Sequence, residues 1–233
     1  MKTAFLPGTE KQLSFFAKQI QVKNKRILVI GSASEFAAEK LQKKSTIKLD
    51  LIVEDYASLI NSKVILENNS NIIIRLMDYS ITDFTDKTFD IIYAQASVST
   101  ENRTKIVKEI KRILKPEGIF CVGEIVALSE KIPGFISDIL DSAALTPLNQ
   151  NEVNSFYSER GFSILEEKNL NETLIEYYSF NKDRLAETKE QLSEQEKSYY
   201  KKLLNRISHE SNAFLKQGGE KYLGFKTLIL QKK

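Results

Sequence analysis

Four short apolar runs in this sequence each end at a residue that could contact a ligand. Gly31 follows the first run, Glu54 the second, Asp78 the third and Ala94–Gln95 the fourth. A glycine lets another molecule approach the backbone closely, and a carboxylate accepts hydrogen bonds from hydroxyl or amino groups. If the runs are parallel strands, their ends meet at one edge of a sheet, where we expect a binding site.

The scarcity of cysteine and histidine excludes several kinds of chemistry. Cys121 is the only cysteine and His209 the only histidine. One thiol cannot form an internal disulfide or a cysteine-based zinc site, and one imidazole cannot build a multi-histidine metal site. We therefore predict no metal, interpret Cys121 as a small buried apolar residue and His209 as a surface residue, and assign no catalytic residue.

Apolar runs alternate with segments of helical periodicity. Runs without polar alternation predict strands buried on both faces, and strands separated by helices of about a dozen residues predict a doubly wound parallel sheet. Thr9 and Gln12 have the spacing of a capping box at the first helix. The predicted strands are 26–31, 47–53, 71–76, 89–94, 119–125, 162–166 and 222–231, and the predicted helices are 9–21, 34–44, 56–67, 102–114, 132–145, 151–160 and 182–217.

The chain is long enough for one domain of residues 1–233. We predict an N-terminal helical lid over 1–24, a core over 25–168, and a helical insertion over 182–217 before the last strand. The insertion carries eight basic and six acidic residues, which is typical of a solvated amphipathic surface. If its apolar side is exposed, it could bind a second copy or a protein partner.

Charge and hydropathy limit the partners and the location. Lys and Arg number 34 against 31 Asp and Glu, a net charge of +3, which is too small to indicate nucleic acid or an anionic membrane as the partner. No apolar stretch reaches the roughly 18 residues of a membrane span. The N-terminus lacks the apolar run of a signal peptide, so we expect a cytoplasmic protein.

Several segments in the middle of the chain resemble motifs of class I S-adenosylmethionine-dependent methyltransferases. Leu76–Tyr79 is similar to the end of the family's third strand, Asp83–Ile92 to its approach to strand four, and Glu109–Gly118 to its E-x-x-R-V-L-K-P-G-G turn into strand five. The resemblance covers about residues 7–168 and the final strand, and is nearest to the small-molecule, type-11-like branch. It implies an α/β, doubly wound, mostly parallel seven-stranded sheet of Rossmann-like methyltransferase fold, with S-adenosylmethionine as cofactor and an unidentified small molecule as methyl acceptor.

The same resemblance implies a role for each strand-end residue. Glu54, or its neighbour Asp55, would bind the ribose hydroxyls, Asp78 the adenine amino group, the Tyr79 main-chain amide the adenine ring, and Ala94–Gln95 the methionine part. Structural roles remain open: a solvated strand end for Glu54, a turn cap for Asp78 and a surface loop for Gln95. The predicted cofactor-binding residues are Gly31, Ser32, Ala33, Glu54, Asp55, Asp78, Tyr79, Ala94 and Gln95.

The first loop departs from the family pattern. Where the family has G-x-G-x-G, this chain has Gly31-Ser32-Ala33-Ser34-Glu35, so only the first glycine is present. Alanine and serine are small, but they add a Cβ where the backbone approaches the ligand. This leaves open a non-catalytic methyltransferase-like binding or assembly module with weakened or lost cofactor binding. A nucleotide-dependent oxidoreductase is disfavoured because G-x-G-x-x-G is missing.

A looser likeness links Pro7–Thr9 and parts of 123–162 to proteins related to arsenite methyltransferases. Their arsenic-binding cysteines are missing here, which argues against arsenite methylation. We expect an acceptor pocket between the N-terminal helix, residues 126–148 and the insertion. The aromatic residues available to line it are Phe5, Phe15, Phe16, Phe135, Tyr177, Tyr178, Tyr199 and Tyr200.

Overall fold

A computed structural model describes residues 6–233, and the strands of this part of the chain form one mixed sheet. Phe5 lies outside the described residues. Seven strands follow the order β3-β2-β1-β4-β5-β8-β7, and the two-residue β6 pairs with β5 off this path. The strands are β1 Ile27–Ile30, β2 Leu49–Val53, β3 Ile72–Leu76, β4 Phe89–Gln95, β5 Leu114–Ala127, β6 Leu148–Asn149, β7 Phe162–Asn169 and β8 Leu223–Lys232.

Most of the sheet is parallel, as the sequence predicts. The five strands from β3 to β5 pair in parallel, and Val29 at the centre lies opposite Leu51 on one side and Tyr93 on the other. The last strand, β8, is antiparallel to both of its neighbours, β5 and β7. The predicted doubly wound, mostly parallel fold is confirmed, and in the described part of the chain the sheet has eight strands rather than the predicted seven because the short β6 pairs with β5.

Helices cover both faces of the sheet and bury the two sides of its strands. One apolar cluster packs α4 and α6 against one face, a second packs α1 and α2 against the other, and a third lies among α5, α7 and α9. The helices are α1 Thr9–Gln19, α2 Glu35–Gln42, α3 Tyr56–Ile65, α4 Arg103–Ile113, α5 Gly134–Ser142, α6 Val153–Glu159, α7 Glu172–Gln191, α8 Glu194–Tyr199 and α9 Lys201–Lys216.

The start of α1 differs from the predicted capping box. Gly8, not Thr9, is the N-cap residue, and from residue 6 onward no side chain caps this helix. Gly8 has a left-handed φ of 84°, and its amide donates to Thr173 Oγ1 at 3.0 Å. A contact 165 residues away in the chain therefore replaces the local cap that the sequence indicates.

The C-terminal helical segment begins earlier than the predicted insertion. Helix α7 starts at Glu172, so residues 182–217 comprise its second half together with α8 and α9. The charged pattern from residue 182 onward does not reveal where α7 starts. The first turn of α7 includes Thr173 and Leu174, which are buried by packing against the rest of the fold.

The E-x-x-R pair of the strand-five motif fixes the segment before β4. Glu109 Oε1 accepts from the amide and hydroxyl of Thr82 at 2.8 and 2.5 Å. Arg112 donates to both oxygens of Glu109 and also pairs with Asp86 at 2.7 Å. The loop that follows the end of β3 is thus held to α4 by a charge-assisted network.

Each helix within residues 6–233 is too short or too polar to cross a membrane.

Candidate functional site

The ends of β1, β2, β3 and β4 meet at one edge of the sheet because these strands are parallel and adjacent. The amide of Gly31 donates to Ile52 O at 3.1 Å, and the amide of Met77 donates to Val53 O at 3.0 Å. The loops after the four strands therefore start side by side at this edge of the sheet. This is where ligands bind in doubly wound sheets.

The loop after β1 keeps the shape of a glycine-rich turn with fewer glycines. Gly31 has φ +135°, and a Cβ added there would lie 2.9 Å from Ser97 Cβ. Ala33 adopts φ 62°, a conformation that costs a non-glycine residue about 1–2 kcal/mol. The chain therefore tolerates strain at Ala33 to preserve a turn that glycine would make freely.

Ser34, at the end of this loop, carries an unsatisfied buried hydroxyl. The residue is 1% exposed, and its Oγ has no hydrogen-bond partner among the described residues. Buried polar groups are nearly always paired, so an exception calls for an explanation. A buried hydroxyl without a partner fits a site for a polar ligand, since it lies near a glycine where a ligand can approach the backbone closely.

Of the two acidic residues after β2, Asp55 is committed to the helix. It is the N-cap of α3, and its carboxylate accepts from the amide and hydroxyl of Ser58 at 2.8 and 2.5 Å. Glu54 is exposed toward solvent, and its Oε1 accepts from the amide of Tyr79 at 2.9 Å. Glu54 is therefore the better placed of the two to bind a ligand.

The electrostatics of Glu54 differ from those of the acidic residues beside it. Partial burial raises the pKa of Glu54, helped by the charges of Asp78 and Asp55 and opposed by the Tyr79 amide. Hydrogen bonds from Ser58 lower the pKa of Asp55, and hydrogen bonds from Ser80 lower the pKa of Asp78. As the pH falls, Glu54 is thus the first of the three to protonate.

Asp78 and Tyr79 form the turn after β3. Asp78 Oδ1 accepts from the amide and hydroxyl of Ser80, both at 2.7 Å, so it does cap the turn, and its side chain remains exposed. Tyr79 is only 4% exposed. Its amide, which the resemblance assigns to the adenine ring, donates here to Glu54.

The end of β4 is covered by the start of α1. Gln95 is 6% exposed, and its Nε2 donates to the carbonyls of Pro7 and Thr9, both at 2.9 Å. Its Oε1 accepts from the Tyr93 hydroxyl at 2.8 Å. The interpretation of Gln95 as a surface-loop residue is therefore wrong, since its side chain attaches the N-terminal segment to the sheet.

A fully buried carboxylate, which the sequence analysis missed, supports the loop after β4. Glu124 on β5 is 0% exposed. It accepts from Ser99 Oγ at 2.5 Å, Arg103 Nε at 3.2 Å and Tyr157 Oη at 2.5 Å. A charged residue inside the apolar run of a central strand was the available signal, because such a group must have partners.

Gln12, which the sequence analysis assigned to a capping box, instead anchors α1 to the sheet. It is fully buried, and its Nε2 donates to Ala94 O at 3.0 Å. Its Oε1 has no partner among the described residues. Gln12 and Gln95 together join α1 to the end of β4.

The thiol and the imidazole lie where the sequence indicates. Cys121 is buried, and burial raises the pKa of its thiol to about 12, so it is protonated at neutral pH and a poor nucleophile. His209 is exposed on α9. Within residues 6–233 no three His, Cys, Asp or Glu side chains converge as metal ligands would.

A cavity of about 460 Å³ lies within the C-terminal helices. It combines residues from the predicted 126–148 segment and the predicted insertion, including two of the aromatic residues proposed to line an acceptor pocket. Its walls are Ser142, Ala143, Ala144, Tyr177, Tyr178, Asn181, Leu203, Arg206, Ile207, Glu210 and Ser211.

Comparison with known proteins agrees with this architecture. Residues 28–122, from β1 into β5, match the family model of a methyltransferase domain. A comparison with curated proteins finds no match.

Solved structures share the fold at low sequence identity. A candidate sarcosine dimethylglycine methyltransferase from Galdieria sulphuraria has a TM-score of 0.78 at 17% identity, covering 96% of this chain and 84% of that one. Phosphoethanolamine N-methyltransferase 2 from Haemonchus contortus has a TM-score of 0.80 at 14% identity, covering 98% and 54%.

A third structure, the [4+2]-cyclase SpnF, has a TM-score of 0.78 at 15% identity, covering 96% of this chain and 80% of that one. At such identities the likeness shows the fold and not the reaction. The match of residues 28–122 to the methyltransferase-domain model and the strand order of the sheet therefore agree with each other.

Proposed function

We propose that the protein is an S-adenosylmethionine-dependent methyltransferase that acts on a small-molecule acceptor. The observation that carries the proposal is that Gly31, the Ser34 hydroxyl and the exposed Glu54 carboxylate lie together at one edge of the sheet, with no partner for that hydroxyl in the described part of the chain. The methyltransferase-domain match over 28–122 supports it. So does a structural neighbour of this fold, a geranyl diphosphate methyltransferase, which was solved in complex with S-adenosylmethionine.

The cofactor would supply a methyl group already activated on a sulfonium, so the protein's main task is positioning. In our proposal, Glu54 accepts hydrogen bonds from the ribose hydroxyls, and Ser34 hydrogen-bonds the ligand beside Gly31. Asp78 accepts from the adenine amino group. Helix α1, held by Gln12 and Gln95, excludes water from the end of β4.

The acceptor is proposed to bind among the C-terminal helices, where the 460 Å³ cavity lies. Its mixed lining, with Tyr177 and Ile207 beside Arg206 and Glu210, suits a small molecule with both apolar and polar parts. The protein is proposed to work in the cytoplasm.

A binding or assembly module is the second candidate function. It is favoured by the buried Tyr79 side chain beside the candidate cofactor residues. In that case a second copy or a protein partner would bind through residues 182–217, where Leu203 is 43% exposed. Sedimentation equilibrium would detect the second copy.

The first test is calorimetric titration with S-adenosylmethionine and S-adenosylhomocysteine. We expect binding by the wild-type protein, and we expect Glu54→Ala to weaken it by about 1–3 kcal/mol, because the ribose hydroxyls would lose a charged acceptor. Glu39→Ala, a surface carboxylate on α2 paired with Lys43, is the control and should bind normally.

Each outcome of this titration has a clear meaning. Unchanged affinity in Glu54→Ala would remove the ribose assignment while leaving the enzyme proposal intact. No binding at millimolar ligand would favour the binding or assembly module instead.

Cofactor affinity should also fall on acidification. The pKa of Glu54 is raised above its ordinary value of 4.5, and the ionised form is the stronger acceptor. Binding should therefore be strongest above the raised pKa and weaken as the pH falls through it. Glu54→Gln should remove this dependence, and an identical pH profile in that variant would contradict the prediction.

A further inference from the structure

The side chain of Tyr79 is buried next to the candidate cofactor residues. It packs in the same apolar cluster as Ile30 and Ile52, the residues near the ends of β1 and β2. Ser32 and Glu54 are both close enough to the phenol to affect its pKa. The phenol is thus placed between the loop after β1 and the acidic end of β2.

Tyr79 also engages Glu54 through its backbone. The Tyr79 amide donates to Glu54 Oε1 at 2.9 Å, so one of the two carboxylate oxygens already has a partner. The residue therefore affects the proposed ribose site in two ways, by the volume of its ring and by the hydrogen bond from its amide to Glu54.

The turn that carries Tyr79 is fixed at its ends and exposed at its tip. Met77 donates to Val53 O at 3.0 Å on one side, and Thr82 is held by Glu109 at 2.8 Å on the other. Ile81 between them is 73% exposed. Rotation of the Tyr79 side chain out of the sheet edge would therefore leave both anchors intact.

We propose that the Tyr79 ring and the nucleoside half of the cofactor compete for the space between Ser32 and Glu54, so that Tyr79 determines cofactor affinity. The inference rests on the proposed function. When the cofactor binds, the ring must leave its apolar surroundings, while the second carboxylate oxygen of Glu54 is available to the ribose hydroxyls. The free energy of that displacement reduces the apparent affinity.

The test compares wild type with Tyr79→Ala and Tyr79→Leu by calorimetry, using S-adenosylhomocysteine and 5′-methylthioadenosine. Removing the ring should tighten binding of both ligands by roughly 10- to 100-fold, the equilibrium factor that corresponds to exposing one large apolar side chain. Tyr79→Leu keeps an apolar side chain in the cluster and is the variant to rely on if alanine unfolds the protein. Thermal unfolding without ligand checks that each variant is folded.

Two controls separate competition from a general loosening of the edge. Ile81→Ala changes the exposed tip of the same turn and should leave both affinities unchanged. Tyr79→Phe retains the ring and loses only the hydroxyl, so it should give a smaller gain than Tyr79→Leu.

The outcomes distinguish this inference from the function on which it rests. Tighter binding by Tyr79→Leu supports both, even if the wild type binds too weakly to measure. Equal or weaker binding by the folded variants, with measurable wild-type binding, overturns the competition and leaves the methyltransferase proposal standing. No binding by any variant overturns both.

Discussion

Replacing Glu124 with alanine is expected to lower the free energy of unfolding by about 3–5 kcal/mol. Arg103 is 5% exposed and would become a buried cation without its partner. The hydroxyls of Ser99 and Tyr157 would lose their acceptor at the same time. For a chain of this length, the loss corresponds to a fall in melting temperature on the order of 10 °C, measurable by calorimetry or circular dichroism.

Glu124→Ala should also disturb the candidate functional site. Ser99 also accepts from the amide of Ile125 at 2.9 Å, and Ser97 donates to Ile30 O at 2.8 Å, so the loop after β4 links the buried network to the loop after β1. Glu39→Ala removes only a surface ion pair with Lys43 and should cost less than about 1 kcal/mol. Equal losses in the two variants would contradict the structural role of Glu124.

Replacing Gln95 with alanine is expected to cost about 3 kcal/mol and to release the start of α1. The Tyr93 hydroxyl would be left buried without its acceptor, and the carbonyls of Pro7 and Thr9 would lose their donor. Each unsatisfied buried group costs about 1–3 kcal/mol. Hydrogen exchange over residues 9–19 should accelerate, as detected by mass spectrometry.

Gln95→Glu tests this mechanism more specifically. The carboxylate can still accept from Tyr93 but cannot donate to the two carbonyls, so α1 should loosen while the Tyr93 contact is kept. Gln19→Ala replaces an exposed glutamine on the same helix and should leave exchange unchanged. Protection of α1 in both Gln95 variants would show that the helix docks without this side chain.

The sequence by itself determined the central sheet and the edge at which the candidate site lies. Continuous apolar runs such as 27–30 and 49–53 predict strands buried between two layers of helices, and the helices that alternate with these strands predict parallel neighbours. Once they are parallel, the residues after them must share an edge. Gly31, Glu54, Asp78 and Gln95 could therefore be placed together without coordinates.

Only the tertiary structure decided how those residues are used. Asp55 caps helix α3, and the Gln95 side chain donates to carbonyls 86 and 88 residues away in the chain. Glu124 can be buried in a strand because Arg103 on α4 and Tyr157 on α6 donate hydrogen bonds to its carboxylate. Tyr79 turns inward beside Ser32 and Glu54. Apolar periodicity indicates which face of an element is buried, but it does not indicate which distant polar groups will pair. Those pairs form only when the packed elements bring the groups within hydrogen-bonding distance.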